Sequence, residues 1–260
     1  MQLGLLLDWH PYLFIIFFAT LFEYNLHRLV TYLTNKEALN ANKHKWVREN
    51  PRLFLCSTIV SVVGFIIAIL MAKKEVVIAL LPVAILTFFY SVPFAWKSDR
   101  TIRLRDLPFL KIFIISFVWS YCTILLPVTY SNIAFDRLHL FLMLMERFLF
   151  IFAITIPFDI RDIEVDKQNR LKTLPLILGV KNSWLLSYIL LSLFLLIAIF
   201  HYTIYNNGII LISFVISALT TYFFLSLNKF KKLTYYHYGI LDGTMFLQGI
   251  LVLFFYYFCH

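Results

Sequence analysis

Charge is scarce in this 260-residue chain. Asp, Glu, Lys and Arg together make up 14% of it, where soluble globular domains carry about 25%. Apolar residues reach 61%, with 28 Phe, 15 Tyr and 5 Trp, more than one water-soluble core can hide. A soluble enzyme and a disordered chain are both excluded. Only seven Gly and eight Pro occur. No Pro/Gly/Ser-rich linker, low-complexity tract or internal repeat breaks the chain, so residues 1–260 read as one integral membrane domain. Cys56, Cys122 and Cys259 lie far apart in apolar surroundings with no CxxC, which leaves neither a disulfide framework nor a cysteine metal site. The opening MQLGLLLDWH lacks a basic n-region and a small-residue cleavage site, so no removable signal peptide is expected. Acids are the scarcer charge, 14 against 23 Lys and Arg, for a net charge of +9. In a soluble protein that balance would point to nucleic acid. Here the basic residues fill short gaps between apolar runs, so nucleic acid is not expected as a partner and membrane lipid is.

A bilayer-spanning helix needs about 20 mostly apolar residues. Eight stretches qualify, about 11–33, 53–72, 76–96, 108–130, 138–158, 183–204, 208–227 and 237–258. None alternates apolar and polar residues as strands of a membrane barrel do. The predicted fold is therefore all-α, a polytopic bundle of about eight transmembrane helices. Loop charge sets its orientation. The loops at 33–52, 96–111, 159–182 and 229–232 hold eighteen Lys and Arg, and the opposite loops hold three, Lys73, Lys74 and Arg137. By the positive-inside rule the first set is cytoplasmic, and both termini face away from the cytoplasm. The expected location is a bacterial inner membrane, with the chemistry on the cytoplasmic face.

The sharpest cluster of polar residues ends the fifth span: PFDIRDIEVDKQNRLKTLPLILG, residues 157–179. Asp159, Asp162 and Asp166 are spaced i, i+3, i+7, which puts three carboxylates on one face if the helix continues. Like charges so placed repel unless a cation sits among them. Oxygen ligands of this kind suit Mg²⁺, which takes one or two carboxylates plus substrate phosphates. Arg161, Lys167 and Lys172 follow closely and can hold phosphate oxygens, Thr173 can donate a hydrogen bond, and Pro175 then Gly179 end the element.

This string, Asp159-Ile-Arg-Asp162-Ile-Glu-Val-Asp166 followed by Lys172-Thr173-Leu-Pro175 and Gly179, resembles the second aspartate motif of the UbiA superfamily of membrane-embedded prenyltransferases. Arg170 departs from it, standing where the family usually has glycine. Tyr90-Ser-Val-Pro93, with Lys97 and Arg100 just after, resembles the Tyr-x-x-Pro and basic loop of the same family. The resemblance covers nearly the whole chain with the family's first helix missing. It implies an all-helical bundle that moves a prenyl group from a prenyl diphosphate to a lipophilic, often aromatic, acceptor with Mg²⁺ as cofactor. Asp159, Asp162 and Asp166 then hold the metal, and Arg161, Lys167, Lys172, Thr173, Lys97 and Arg100 face the diphosphate.

The family's first motif, Asn-Asp-x-x-Asp with a further Asp, is degenerate. The corresponding stretch is Phe22-Glu23-Tyr24-Asn25-Leu26-His27-Arg28-Leu29, and neither alignment of it places an aspartate. Glu23, Asn25, His27 and Arg28 remain near the cytoplasmic end of an apolar helix, where ionisable residues suggest a functional site. Glu23 and His27 are spaced to pair, and the planar fork of Arg28 suits phosphate, replacing the lost metal site with a fixed positive charge. The bland reading is a structural network tying helices together. Elsewhere, Glu146 and Arg147 read as partners between helices, Asp242 as a further cavity carboxylate, and Gln248 and His237 as packing residues. Two functions follow. One is a UbiA-like prenyltransferase. The other is a catalytically degenerate protein of that fold, acting as an isoprenoid-lipid binder or accessory membrane subunit. A CDP-alcohol phosphotransferase is disfavoured, because its Asp-Gly-x-x-Ala-Arg core is absent.

Overall fold

A stretch of twenty apolar residues in lipid has few options, because each backbone N–H and C=O must find a partner within the segment. The computed structural model takes the helical one throughout. It describes residues 11–34, 47, 49–93, 95–97, 100–131, 135–168 and 171–258, with backbone alone for Pro11, His27, 31–34, 95–97 and 100–102. The long helices are α1 (Pro11–Thr34), α2 (Pro51–Met71), α3 (Lys74–Ser91), α4 (Leu110–Ser131) and α5 (Arg137–Arg161). Two short helices follow, α6 (Ile163–Gln168) and α7 (Leu174–Leu178). Then come α8 (Val180–Ile204), α9 (Gly208–Ser226), the single turn α10 (Asn228–Lys231) and α11 (Asp242–Phe258), which is entered through a π-helical turn, Tyr236–Leu241. Among the described residues, eight helical spans are long and apolar enough to cross a membrane, the number the apolar runs predict, so the chain reads as an integral membrane protein.

One short piece is not helical. Strands β1 (Ala95–Lys97) and β2 (Arg100–Ile102) form an antiparallel ribbon whose register sets Lys97 opposite Arg100. A one-turn 3₁₀ helix, Leu104–Asp106, closes the ribbon. The Asp106 carboxylate accepts from the Arg103 backbone N–H at 3.1 Å and from its guanidinium at 3.0 and 3.3 Å.

The chain divides into two compact units, residues 8–114 with 125–133, and residues 1–7, 115–124 and 134–260. In the N-terminal unit α1 packs mainly on α2. Gly64 makes the close approach possible: a Cβ there would lie 2.5 Å from the Phe18 ring. Outward positions such as Leu55, Leu70, Ile78 and Ile85 are exposed, as expected of side chains whose solvent is lipid rather than water.

In the C-terminal unit α5 and α8 form the most extensive helix pair. Small side chains let the backbones close: Ala153 and Ser187 are buried, and the Ser187 hydroxyl donates to the Ala153 carbonyl at 2.6 Å. This is the small-residue and hydroxyl packing that membrane helices use in place of a hydrophobic driving force. Phe150, Ile154, Phe194, Ala198, Phe214 and Ala218 fill the core between α5, α8 and α9. The Tyr188 hydroxyl donates to the Leu225 carbonyl at 2.9 Å and the Tyr236 hydroxyl to the Phe224 carbonyl at 3.2 Å, tying the ends of α8 and α9 and the π-helical turn together.

Candidate active site

The second-motif residues all lie in the C-terminal unit, at the end of α5 and in the α6–α7 segment. Asp159 occupies the last turns of α5 and is 1% exposed. Helix α5 stops at Arg161, and Asp162, with φ −89° and ψ 7°, is its C-cap. Backbone bonds still bridge the break: the Asp162 N–H donates to the Phe158 carbonyl at 3.1 Å, and the Asp166 N–H to the Asp162 carbonyl at 2.9 Å. Asp166 then sits in α6 at 6% exposure. Burial of two carboxylates is costly unless cationic or hydrogen-bonding groups meet them.

The single helix expected to carry all three acids is interrupted, since α5 ends at Arg161 and α6 begins at Ile163. Among the described residues, no group of three acids, His or Cys could hold a metal ion. The Arg161 guanidinium takes Asp162 in a two-pronged grip, Nε to Oδ1 at 2.8 Å and Nη2 to Oδ2 at 2.9 Å. Paired charged hydrogen bonds of this geometry are among the strong ones. The arrangement therefore fits a cation held partly by carboxylates and partly by a ligand's own phosphate oxygens, which is the usual situation for Mg²⁺.

Two donors support that fit. Arg161 Nη1 and Thr173 Oγ1 are buried, and neither has a hydrogen-bond partner among the described residues. A buried donor without an acceptor costs about 1–3 kcal/mol, which an incoming phosphate oxygen would relieve. Lys167 and Lys172 are exposed nearby in the chain. Pro175 does not end the element as its position suggested. It occupies the first turn of α7, where its missing N–H is harmless. Gly179 is the breaker, at φ +80°, a conformation that favours glycine. Arg170 lies outside the described residues.

Other contacts at this end were not foreseen. The Arg161 guanidinium lies 4.9 Å from the centre of the Tyr238 ring and 5.3 Å from that of Phe158. Tyr238 is carried by the π-helical turn, a feature frequent at functional sites. Asp242, at the end of that turn, feels the charge of Arg161. The sequence had placed Asp242 near a cavity, but the approach of Tyr238 depends on helical phase within the turn. The apolar pattern of the last span does not encode that phase.

The first-motif residues lie in the N-terminal unit, where two of them join helices. The Ser91 hydroxyl donates to Glu23 Oε1, linking α3 to α1. Asn25, 4% exposed, donates from Nδ2 to Ser57 Oγ at 3.1 Å, linking α1 to α2. Both are the inter-helix network of the bland reading. Arg28 is half-buried. The His27 side chain lies outside what is described, so its pairing with Glu23 has no counterpart here. The side chains of Lys97 and Arg100 are likewise outside it, and only their facing backbone positions are given. Tyr90 meets a cation: the Arg105 guanidinium is 5.6 Å from its ring centre, and the same charge acts on Glu23.

The model of the UbiA prenyltransferase family matches residues 50–235, most of the chain. Among solved structures, the chain resembles a UbiA homolog from Archaeoglobus fulgidus bound to GPP and Mg²⁺, at 13% identity and a TM-score of 0.63. It also resembles a UbiA homolog from the same organism bound to DMAPP and Mg²⁺, at 13% identity and a TM-score of 0.61. Each likeness covers 95% of this chain and 85% of the other, and at that identity it establishes the fold alone. No curated protein matches. The chain belongs to the UbiA prenyltransferase family.

Proposed function

We propose that this protein binds a prenyl diphosphate with Mg²⁺ at the α5–α6–α7 junction and transfers the prenyl group to a lipophilic acceptor. The observation that carries the reading is the acid and donor set of that junction: buried Asp159 and Asp166, Asp162 gripped by Arg161, and the partnerless Arg161 Nη1 and Thr173 Oγ1. Family membership and neighbours that hold GPP or DMAPP with Mg²⁺ support it. Asp159, Asp162 and Asp166 are the proposed metal ligands, and bound Mg²⁺ would neutralise charge developing on the departing diphosphate. Arg161 orients Asp162 and offers its remaining N–H to phosphate. Thr173 donates to a second oxygen, and Lys167 and Lys172 add positive charge. Donors held in place before the reaction stabilise such charge without reorganisation. Apolar surroundings exclude water from the cation-like allylic carbon. The loop-charge asymmetry supports a cytoplasmic site in a bacterial inner membrane, within a single membrane domain.

One observation favours a second reading, a non-catalytic binder of isoprenoid lipid or an accessory subunit. Glu23 and Asn25, which stand where the family carries its first acid cluster, are engaged between helices. Thermal unfolding of the detergent-purified protein separates the two. For the enzyme, geranyl, farnesyl or geranylgeranyl diphosphate raises the Tm only with Mg²⁺, the rise disappears in Asp162→Asn, and prenyl transfer follows in an acceptor screen. Stabilisation without transfer to any acceptor favours the binder. No stabilisation in a folded sample removes the diphosphate site altogether.

A further inference from the structure

A second polar cluster lies in the same unit, toward the opposite end of α5 from Asp159. Its members recur on one face of α5: Asp136 at the N-cap, His139 one turn in, Glu146 seven residues further and Arg147 beside it. Across the packed pair, α8 presents His201 and Tyr202 from its last turns, with Tyr205 just beyond. His201 is fully buried and Glu146 is 2% exposed. His201 Nδ1 is 2.7 Å from Glu146 Oε1, and His201 Nε2 is 2.8 Å from His139 Nδ1. The Tyr202 hydroxyl donates to Glu146 Oε2 at 3.2 Å. His139 is only half-buried and meets the Tyr205 ring at a tilt of 57°, with ring centres 4.6 Å apart. The Tyr205 hydroxyl donates to exposed Asp136. The line of contacts thus runs from an exposed carboxylate at the helix end to a buried one.

We propose that His139, His201 and Glu146 form a proton-binding site, a relay through which Glu146 exchanges a proton with water at the Asp136 end of α5. Each link of the chain has one hydrogen, and its position is free to change. Take Glu146 ionised, with His201 donating from Nδ1 to Glu146 and His139 donating from Nδ1 to His201 Nε2. A proton taken up at His139 Nε2 releases the Nδ1 proton to His201 Nε2. His201 then passes its own Nδ1 proton to Glu146 Oε1. The two protons on the three side chains become three with the one taken up, the negative charge on Glu146 is cancelled, and both imidazoles end neutral. Deprotonation runs the same steps in reverse. Imidazole suits this role because its charge changes near neutral pH and its two nitrogens can donate and accept at once.

Among the described residues, the other titratable and charged groups with a contact to it are Asp136 and Arg147 on α5 and Tyr202 and Tyr205 on α8. From α4, α9 and α11 the side chains beside Glu146 and Arg147 are Ile124, Phe214 and Gln248, which do not titrate. Arg147 is turned toward α11, donating from Nη1 to Gln248 Oε1 at 2.6 Å. It lies beside Glu146 without an ion pair among the described residues. A bridging zinc ion would hold the two imidazole nitrogens about 3.3 Å apart, from bonds of about 2.0 Å in tetrahedral geometry. The observed 2.8 Å is the spacing of a shared proton. The site stands whether or not the chain transfers prenyl groups.

The test is infrared difference spectroscopy of the full chain in lipid, stepped from pH 8 to pH 5, with the protonated-carboxyl stretch as readout. The wild type is expected to gain, among its carboxyl bands, one that is lost in Glu146→Gln and shifted in Glu146→Asp. In His139→Phe, which keeps a ring against Tyr205, that band should form at least tenfold more slowly. No band in the wild type, a spectrum unchanged by Glu146→Gln, or unchanged kinetics in His139→Phe would each overturn the relay. Should Glu146→Gln fail to fold, Glu146→Asp and His139→Phe still decide the matter.

Discussion

Two stretches of this chain stand where the family carries its paired aspartate motifs, and they have diverged in opposite ways. At the end of α5 the acids are kept, two of them buried, and the neighbouring donors Arg161 Nη1 and Thr173 Oγ1 lack partners among the described residues. In α1 the aspartates are gone. The polar residues that remain, Glu23 and Asn25, are joined to Ser91 and Ser57 of adjacent helices. A site keeps hydrogen-bonding capacity in reserve for a ligand, whereas a helix contact uses its own. On that criterion the second motif is built for binding and the first for assembly.

The largest effect expected from this difference is on ligand binding. Asp159→Asn or Asp162→Asn should reduce Mg²⁺-dependent diphosphate binding and prenyl transfer by about 10²-fold or more, the scale of losing a principal charge-stabilising group. Isothermal titration with geranyl diphosphate in detergent reads the first, and transfer of labelled prenyl the second. Arg161→Ala comes next. It removes the grip on Asp162 and one phosphate donor, for a loss of about 1.5–3 kcal/mol in diphosphate binding, the worth of a charged hydrogen bond, read by the same titration.

The contrast in α1 sharpens with smaller effects on stability alone. Glu23→Ala should cost about 0.5–1.5 kcal/mol by removing the acceptor of the Ser91 hydroxyl. Glu23→Gln, which keeps a carbonyl oxygen there, should cost less, and neither should alter diphosphate affinity. Gly64→Ala tests the same unit by packing. Its Cβ meets the Phe18 ring, for about 1–3 kcal/mol, and Phe18→Leu in the same chain should restore part of it. Denaturant unfolding monitored by tryptophan fluorescence measures all four.

The smallest effect concerns Lys231, whose ammonium lies 3.7 Å from the centre of the Trp184 ring. Burial holds its pKa below the ordinary lysine value. The unfolded chain therefore binds this proton more tightly, and the cost to folding is present in full at neutral pH. It fades as pH rises through the window between the lowered value and the ordinary one. Lys231→Met should change stability by no more than about 0.5 kcal/mol and should flatten the high-pH rise, as read by unfolding at pH 7 and pH 10.

Much of this was legible in the sequence. All eight spans followed from apolar runs, because a helix in lipid is dictated by length and composition rather than by subtle local preference. The second motif was legible because its acids abut such a run. What escaped detection depends on pairs distant in sequence or on local phase. The Ala95–Lys97 and Arg100–Ile102 strands are three residues each, too short to show alternation. The Arg161 grip on Asp162 is a contact that adjacency alone does not predict. Glu146 reads as a generic helix partner until His201, 55 residues away, is brought beside it.

The most direct test sets the two motifs side by side. Thermal unfolding with Mg²⁺ and geranyl diphosphate should stabilise the wild type and Glu23→Gln alike, and should not stabilise Asp159→Asn. Stabilisation of Asp159→Asn equal to the wild type, or its loss in a folded Glu23→Gln protein, would contradict the division of labour between binding and assembly.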